Sequence, residues 1–264
     1  MGQARLDRWP ENGGAAMRDG TAIPTTEDAL LDGRVRLRQP KFGYRVATDP
    51  VFLAAAVPAR PGELILDLGM GVGAAALCLA HRVRGCLVVG VECQADLACL
   101  AQANGRLNAL CVSGVIGDVG ALPFRADVFD HVMANPPFLV SGHASPSPST
   151  AKTRANQANA ETDLALWIAA GFASLKRGGS MTLIQRADRL DDVLAGLAGQ
   201  GGGIAIFPLW PRAGMAAAKR VLGRAIKGSR APLRLAPGLV VHGADSSYTA
   251  AAAAVLRDGQ ALTL

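Results

Sequence analysis

Short apolar runs alternate with Ala/Leu-rich stretches along most of the chain. Leu64-Ile65-Leu66-Asp67-Leu68 reads as a buried strand, and Ala74–Ala80 behind it reads as a helix. Leu87-Val88-Val89-Gly90-Val91 and the run from Phe129 to Ala134 predict two more strands. Apolar strands alternating with Ala/Leu helices predict an α/β fold with a doubly wound, mostly parallel sheet. The first stretch, 1–28, has Gly13-Gly14, scattered charges and no periodicity, so a flexible tail is expected there and a single domain over 29–264. That first stretch lacks the apolar core of a signal peptide. No run reaches membrane-spanning length without Gly, Pro or charge, so a soluble, cytoplasmic protein without a membrane partner is expected.

Composition changes the picture only in its charge. The 264 residues, 50% of them hydrophobic, suffice for one large core. Net charge is +6 and the pI near 9.4, with a block of seven cations between Arg212 and Arg234 and no acidic residue among them. The block comprises Arg212, Lys219, Arg220, Arg224, Lys227, Arg230 and Arg234. It suits a phosphate backbone, the alternative being a solvated face of a strand pair. Arg212, Arg220 and Arg224 are the candidate nucleic-acid contacts, with Arg154 from a polar loop. Five cysteines with no Cys-x-x-Cys pairing argue against a disulfide framework and read as small core residues. The four histidines have no metal-ligand spacing, and no metal is expected.

The glycines of Gly69-x-Gly71-x-Gly73 fall in the predicted turn between strand and helix. Glycine there allows a tight bend and close approach of a ligand to the backbone. This is not the Gly-x-Gly-x-x-Gly spacing of a dinucleotide site, and Asp67 just ahead of it would repel phosphates but suits an amino group. Glu92 closes the second strand about 20 residues beyond the glycines, where ribose hydroxyls are held. A ligand with an amino-acid end and a ribose but no phosphate points to S-adenosylmethionine, with S-adenosylhomocysteine as product.

Asn135-Pro136-Pro137-Phe138 ends the third strand. The prolines fix φ and remove two N–H donors, leaving carbonyl acceptors beside an aromatic face. The tetrapeptide is either an ordinary strand-ending turn or a receptor for a planar –NH2 group.

Together these motifs resemble the class I amino-methyltransferases that carry an Asn-Pro-Pro-aromatic motif. Within them the chain is most similar to the bacterial tRNA1(Val) adenine-N6 methyltransferases. The closer resemblance rests on Gln39…Gly43-Tyr44-Arg45…Thr48-Asp49…Leu53, on Val88–Ala98 with Asn104–Asn108, and on Leu239–His242…Tyr248-Thr249…Arg257. Met70 stands where that family usually has a small polar residue, and Phe138 where Tyr is commoner. The resemblance implies a Rossmann-like, seven-stranded sheet. It also implies cofactor contacts from Asp67 (amino group), Glu92 (ribose), Asp118 (adenine amine), and Tyr44 and Asp49 (methionine end).

The chemistry these residues suit is alignment of a poor nucleophile with an activated methyl group. Asn135 and the Pro136 carbonyl would accept the two amine N–H bonds, with Phe138 stacked on the base. The expected activity is N-methylation of a base amine in RNA, N6 of adenine in tRNA above all. Protein glutamine methylation and ribosomal RNA guanine-N2 methylation share the same acceptor logic.

Overall fold

The computed structural model describes residues 23–43, 45–137, 164–215 and 217–264. Tyr44, Phe138 and Arg154 lie outside the described residues. A hairpin opens the described chain, with β1 (Thr25–Leu30) pairing antiparallel to β2 (Val35–Pro40). Thr25–Asp28, expected in the tail, is therefore strand. In β2, Val35, Leu37 and Gln39 face inward while Arg36 and Arg38 face water, the period-two alternation of a half-buried strand.

Helix α1 (Asp49–Ala56) leads into β3 (Leu64–Leu68), α2 (Ala74–Arg82), β4 (Leu87–Glu92), α3 (Ala95–Leu107), β5 (Val112–Ile116) and β6 (Phe129–Ala134). Helix α4 (Leu164–Ser174) runs directly into β7 (Leu175–Arg186), followed by α5 (Leu190–Ala198), β8 (Gly201–Arg212) and β9 (Arg220–Lys227). The short strands β10 (Arg234–Leu235) and β11 (Leu239–His242) and helix α6 (Ala250–Leu256) complete the fold.

The seven expected strands lie in the order β5-β4-β3-β6-β7-β9-β8, all parallel except β9, which runs antiparallel to both β7 and β8. The outer edge of β8 carries β10 and β11, so the sheet has nine strands among the described residues. The central strands are buried on both faces, which is why they read as continuous apolar runs. One core lies between the sheet and α1, α2 and α6; a second lies between the opposite face and α4 and α5.

Two asparagines join the hairpin to this body. Asn104, fully buried on α3, accepts from the Arg38 backbone N–H at 2.9 Å and donates to the Arg38 carbonyl at 2.8 Å. One helical turn on, Asn108 accepts from the Arg36 N–H at 2.8 Å and donates to the Arg36 carbonyl at 2.7 Å. The amides thus replace a neighbouring strand along the free edge of β2. Asn104 also donates to the Val72 carbonyl at 3.0 Å, tying the hairpin to the glycine turn.

His131 is a packed histidine: Nδ1 lies 2.8 Å from the Ser180 hydroxyl and Nε2 3.1 Å from Glu63. The cysteines divide: Cys78 and Cys86 are buried, but Cys93 and Cys111 are exposed, so the expectation of five core cysteines fails where a strand or helix meets solvent.

Candidate active site

The parallel strands β6, β3, β4 and β5 deliver Asn135, Asp67, Glu92 and Asp118, in that order, at or just past their carboxyl ends. That is the edge where open α/β sheets hold their ligands.

Asp67 is 2% exposed, and its Oδ2 has no hydrogen-bond partner. Burial, reinforced by the nearby Glu92 carboxylate, pushes its pKa up to about 8, with the Ala76 backbone N–H pulling the other way. A buried, partnerless carboxylate oxygen costs about 1–3 kcal/mol, a penalty that a cationic amine at the site would relieve.

The glycine turn has three distinct constraints. Gly69 (φ 62°) has no room for a side chain, because a Cβ would sit on the Trp167 ring of α4. Gly73 (φ 85°) packs on Ala101 of α3. At Gly71 (φ 54°) a Cβ would meet nothing within 4 Å, so its approach side is open. Between them the buried Met70 lies across Gly90 of β4, where a Cβ would collide with its side chain. The unusual methionine is thus absorbed by the core, and a glycine inside a strand of β-branched residues was the signal for that close approach.

Glu92 bridges the turn: Oε2 accepts from the Gly71 N–H and Oε1 from the Gln94 N–H, both at 2.9 Å. Each carboxylate oxygen keeps acceptor capacity for a hydroxyl. Asp118 is exposed, its Oδ1 accepting from the Gly120 N–H at 2.7 Å in a tight turn. Asn135 has its Oδ1 buried and without a partner, beside the buried Pro136 and half-buried Pro137. An aminoacyl nucleoside without phosphate fits this donor set: orphaned acid, open glycine, bridging acid, exposed acid.

Asp49 stands in the first turn of α1, and its Oδ2 accepts from Arg220 Nε at 2.7 Å. The basic block divides in the structure between residues with internal partners and residues facing water. Arg220 is held by Asp49, and Arg224 donates to the Leu264 and Ala56 carbonyls at 3.1 and 3.4 Å. Arg234 also donates to the Leu264 carbonyl, and Lys227 reaches Asp127 and the carbonyls of Phe172 and Leu175. Four of the seven cations are therefore held by carboxylates or backbone carbonyls, three of them because β9 is an interior strand rather than a solvated one. Arg212, Lys219 and Arg230 are exposed, as is Arg234 despite its bond to Leu264, and Arg212 makes a hydrogen bond to the Ser246 hydroxyl. Among the described residues, no group of three or more His, Cys, Asp or Glu is gathered as a metal site would require. Nor is any helix among them long and apolar enough to cross a membrane.

Sequence reasoning did not single out Trp167, Gly90 or the Asp49–Arg220 pair. Asn104 it read only as part of a motif, not as the link between hairpin and turn.

A family model described as "Methyltransferase domain" matches residues 65–159. The chain is 27% identical over 212 residues to a tRNA1(Val) (adenine(37)-N6)-methyltransferase of Aeromonas hydrophila, covering 79% of this chain and 87% of that one. A crystal structure of a predicted O-methyltransferase from Agrobacterium tumefaciens superposes with a TM-score of 0.68 at 27% identity, over 81% of this chain and 98% of that one. A T. thermophilus 16S rRNA N2 methyltransferase in complex with AdoMet and guanosine shares the fold, with a TM-score of 0.53 at 22% identity over 78% of this chain and 51% of that one. Strand order, the acid-flanked glycine turn and these likenesses agree: the chain has the class I methyltransferase fold, and its residues 65–159 match a methyltransferase domain.

Proposed function

We propose that this enzyme methylates the exocyclic amine of a base in RNA, with N6 of adenine in tRNA as the substrate. The observation that carries the reading is the Asn135 side-chain oxygen: buried, without a partner, and followed by two residues that have no N–H to offer it. An acceptor kept dry and unpaired is complementary to an N–H donor. The relative from Aeromonas hydrophila bears the name of that activity.

Bound S-adenosylmethionine supplies a methyl group already activated on a sulfonium. The protein's remaining task is alignment. Asn135 Oδ1 and the Pro136 carbonyl accept the amine's two N–H bonds, drawing the nitrogen out of conjugation with the ring and aiming its lone pair. Phe138 supplies the stacking face for a base turned out of its neighbours. Asp67 takes the cofactor's amino group, Glu92 the ribose hydroxyls and Asp118 the adenine amine. Asp49 is read as the neighbour of the methionine end, a role that the resemblance also gives to Tyr44. Arg212 and Arg154 are the proposed RNA contacts retained from the basic regions. The protein is read as cytoplasmic, and as a single domain.

The test is nucleoside mass spectrometry of total tRNA from a strain lacking the gene. Loss of N6-methyladenosine, restored by the wild-type gene but not by an Asn135→Ala allele, is the expected result. Unchanged tRNA nucleosides with loss of a methylated guanine in ribosomal RNA, or of methylated glutamine in protein, would move the assignment to that substrate.

A further inference from the structure

The Asp49–Arg220 pair spans 171 residues of sequence and joins two parts of the molecule that share no hydrogen-bonded strand. Asp49 opens α1, where a carboxylate also favours the helix N-terminus. Arg220 opens β9, in register with Arg186 at the carboxyl end of β7 and with Leu209 of β8. The pair therefore lies at the carboxyl edge of the sheet, the edge that also carries Asn135 and Asp67. Its side chains are only 14% exposed for Asp49 and 30% for Arg220, so water screens it less than a surface pair. A second bond from Arg220 Nη1 to the Lys219 carbonyl, at 3.2 Å, fixes the guanidinium from its own strand.

We propose that Arg220 is a positioning residue for the cofactor: through Asp49 it holds the start of α1 against the β7–β9 edge, and it makes no RNA contact. The inference rests on the reading of Asp49 as a neighbour of the cofactor's methionine end. Removing the guanidinium deprives the Asp49 carboxylate of this ion pair, so the start of α1 loses its anchor where the ligand must be enclosed. The consequence is weaker cofactor binding with little change in RNA affinity.

A double-mutant cycle tests this on the full chain, with S-adenosylmethionine affinity measured by calorimetry, KM and kcat by methyl transfer, and tRNA affinity by filter binding at several salt concentrations. Asp49→Asn and Arg220→Gln are each expected to weaken cofactor binding on the order of tenfold, about 1.4 kcal/mol. The double variant should be no worse than either single one, because both remove the same interaction. Arg220→Lys should restore most of the loss, and the salt slope of tRNA binding should stay at the wild-type value. Thermal melts of each variant separate a local effect from failure to fold, and Arg220→Met, which keeps the half-buried stem without the charge, serves if Arg220→Gln does not fold. The proposal is overturned if Arg220→Gln flattens the RNA salt slope while cofactor affinity holds. It also fails if Asp49→Asn weakens the cofactor and Arg220→Gln does not, which would leave Asp49's own role standing. If neither variant changes cofactor affinity, the reading of Asp49 falls and the inference with it.

Discussion

Asp67 in the ligand-free protein is a carboxyl group held largely protonated at neutral pH, because burial and Glu92 raise its pKa to about 8. A folded-state pKa above the ordinary value of 3.8 means that its contribution to stability is complete below that value and is lost as pH rises through about 8. Asp67→Asn should therefore flatten the fall of Tm over that window; an unchanged pH profile would contradict the assignment. Binding a cationic amine reverses the balance and expels the proton. Calorimetry at pH 7 in two buffers of different ionisation enthalpy should then reveal proton release on S-adenosylmethionine binding, and Asp67→Asn should abolish it. Gly69 is constrained in the opposite way, by space. Gly69→Ala should cost roughly 1–3 kcal/mol of stability, since the new methyl meets Trp167 at a backbone angle that disfavours side chains. A Tm equal to wild type would sink that claim. Both residues were visible in the sequence as a motif. Why the glycine is needed was not, because the aromatic ring that forbids a side chain there arrives from a helix almost 100 positions later.

Elements meet here through side chains that a linear pattern does not expose. The apolar runs located β3, β4 and β6 and the helix behind β3, since each is buried enough to write its own periodicity. The hairpin β1–β2 escaped, being polar on one face and starting inside a stretch without apolar period. Its attachment depends on Asn104 and Asn108, whose helical spacing of four matches the two-residue step of an edge strand. Asn104→Ala should destabilise the protein by about 1–3 kcal/mol, since it strips partners from a backbone edge and from the Val72 carbonyl. Native-state hydrogen exchange offers the sharper check: the Arg36 and Arg38 amides should lose protection before the amides of β3. Equal protection in mutant and wild type would mean that the hairpin is held by its apolar face alone.

For the whole molecule, charge illustrates how far composition reaches. A pI near 9.4 and an acid-free block pointed to nucleic acid, yet β9 places Arg220, Arg224 and Lys227 among internal partners. The other members of the block, Arg212, Lys219, Arg230 and Arg234, face water, Arg234 while bonded to the Leu264 carbonyl. If they track a phosphate backbone, Arg212→Gln with Lys219→Gln should lower the salt dependence of tRNA binding by about one unit for each phosphate left unneutralised. Arg224→Gln should instead lower Tm with no effect on that slope. Filter binding at graded salt and a melting curve separate the two outcomes, and a flattened slope for Arg224→Gln alone would reverse the assignment. The proposed chemistry turns on the orphaned acceptor of Asn135. Its most direct test is a single-turnover assay of purified protein on unmodified tRNA, wild type beside Asn135→Ala, with cofactor affinity measured on both. The wild type should yield N6-methyladenosine and the variant should lose nearly all transfer, with S-adenosylmethionine bound equally well by both; transfer by Asn135→Ala at close to the wild-type rate would contradict the proposed role.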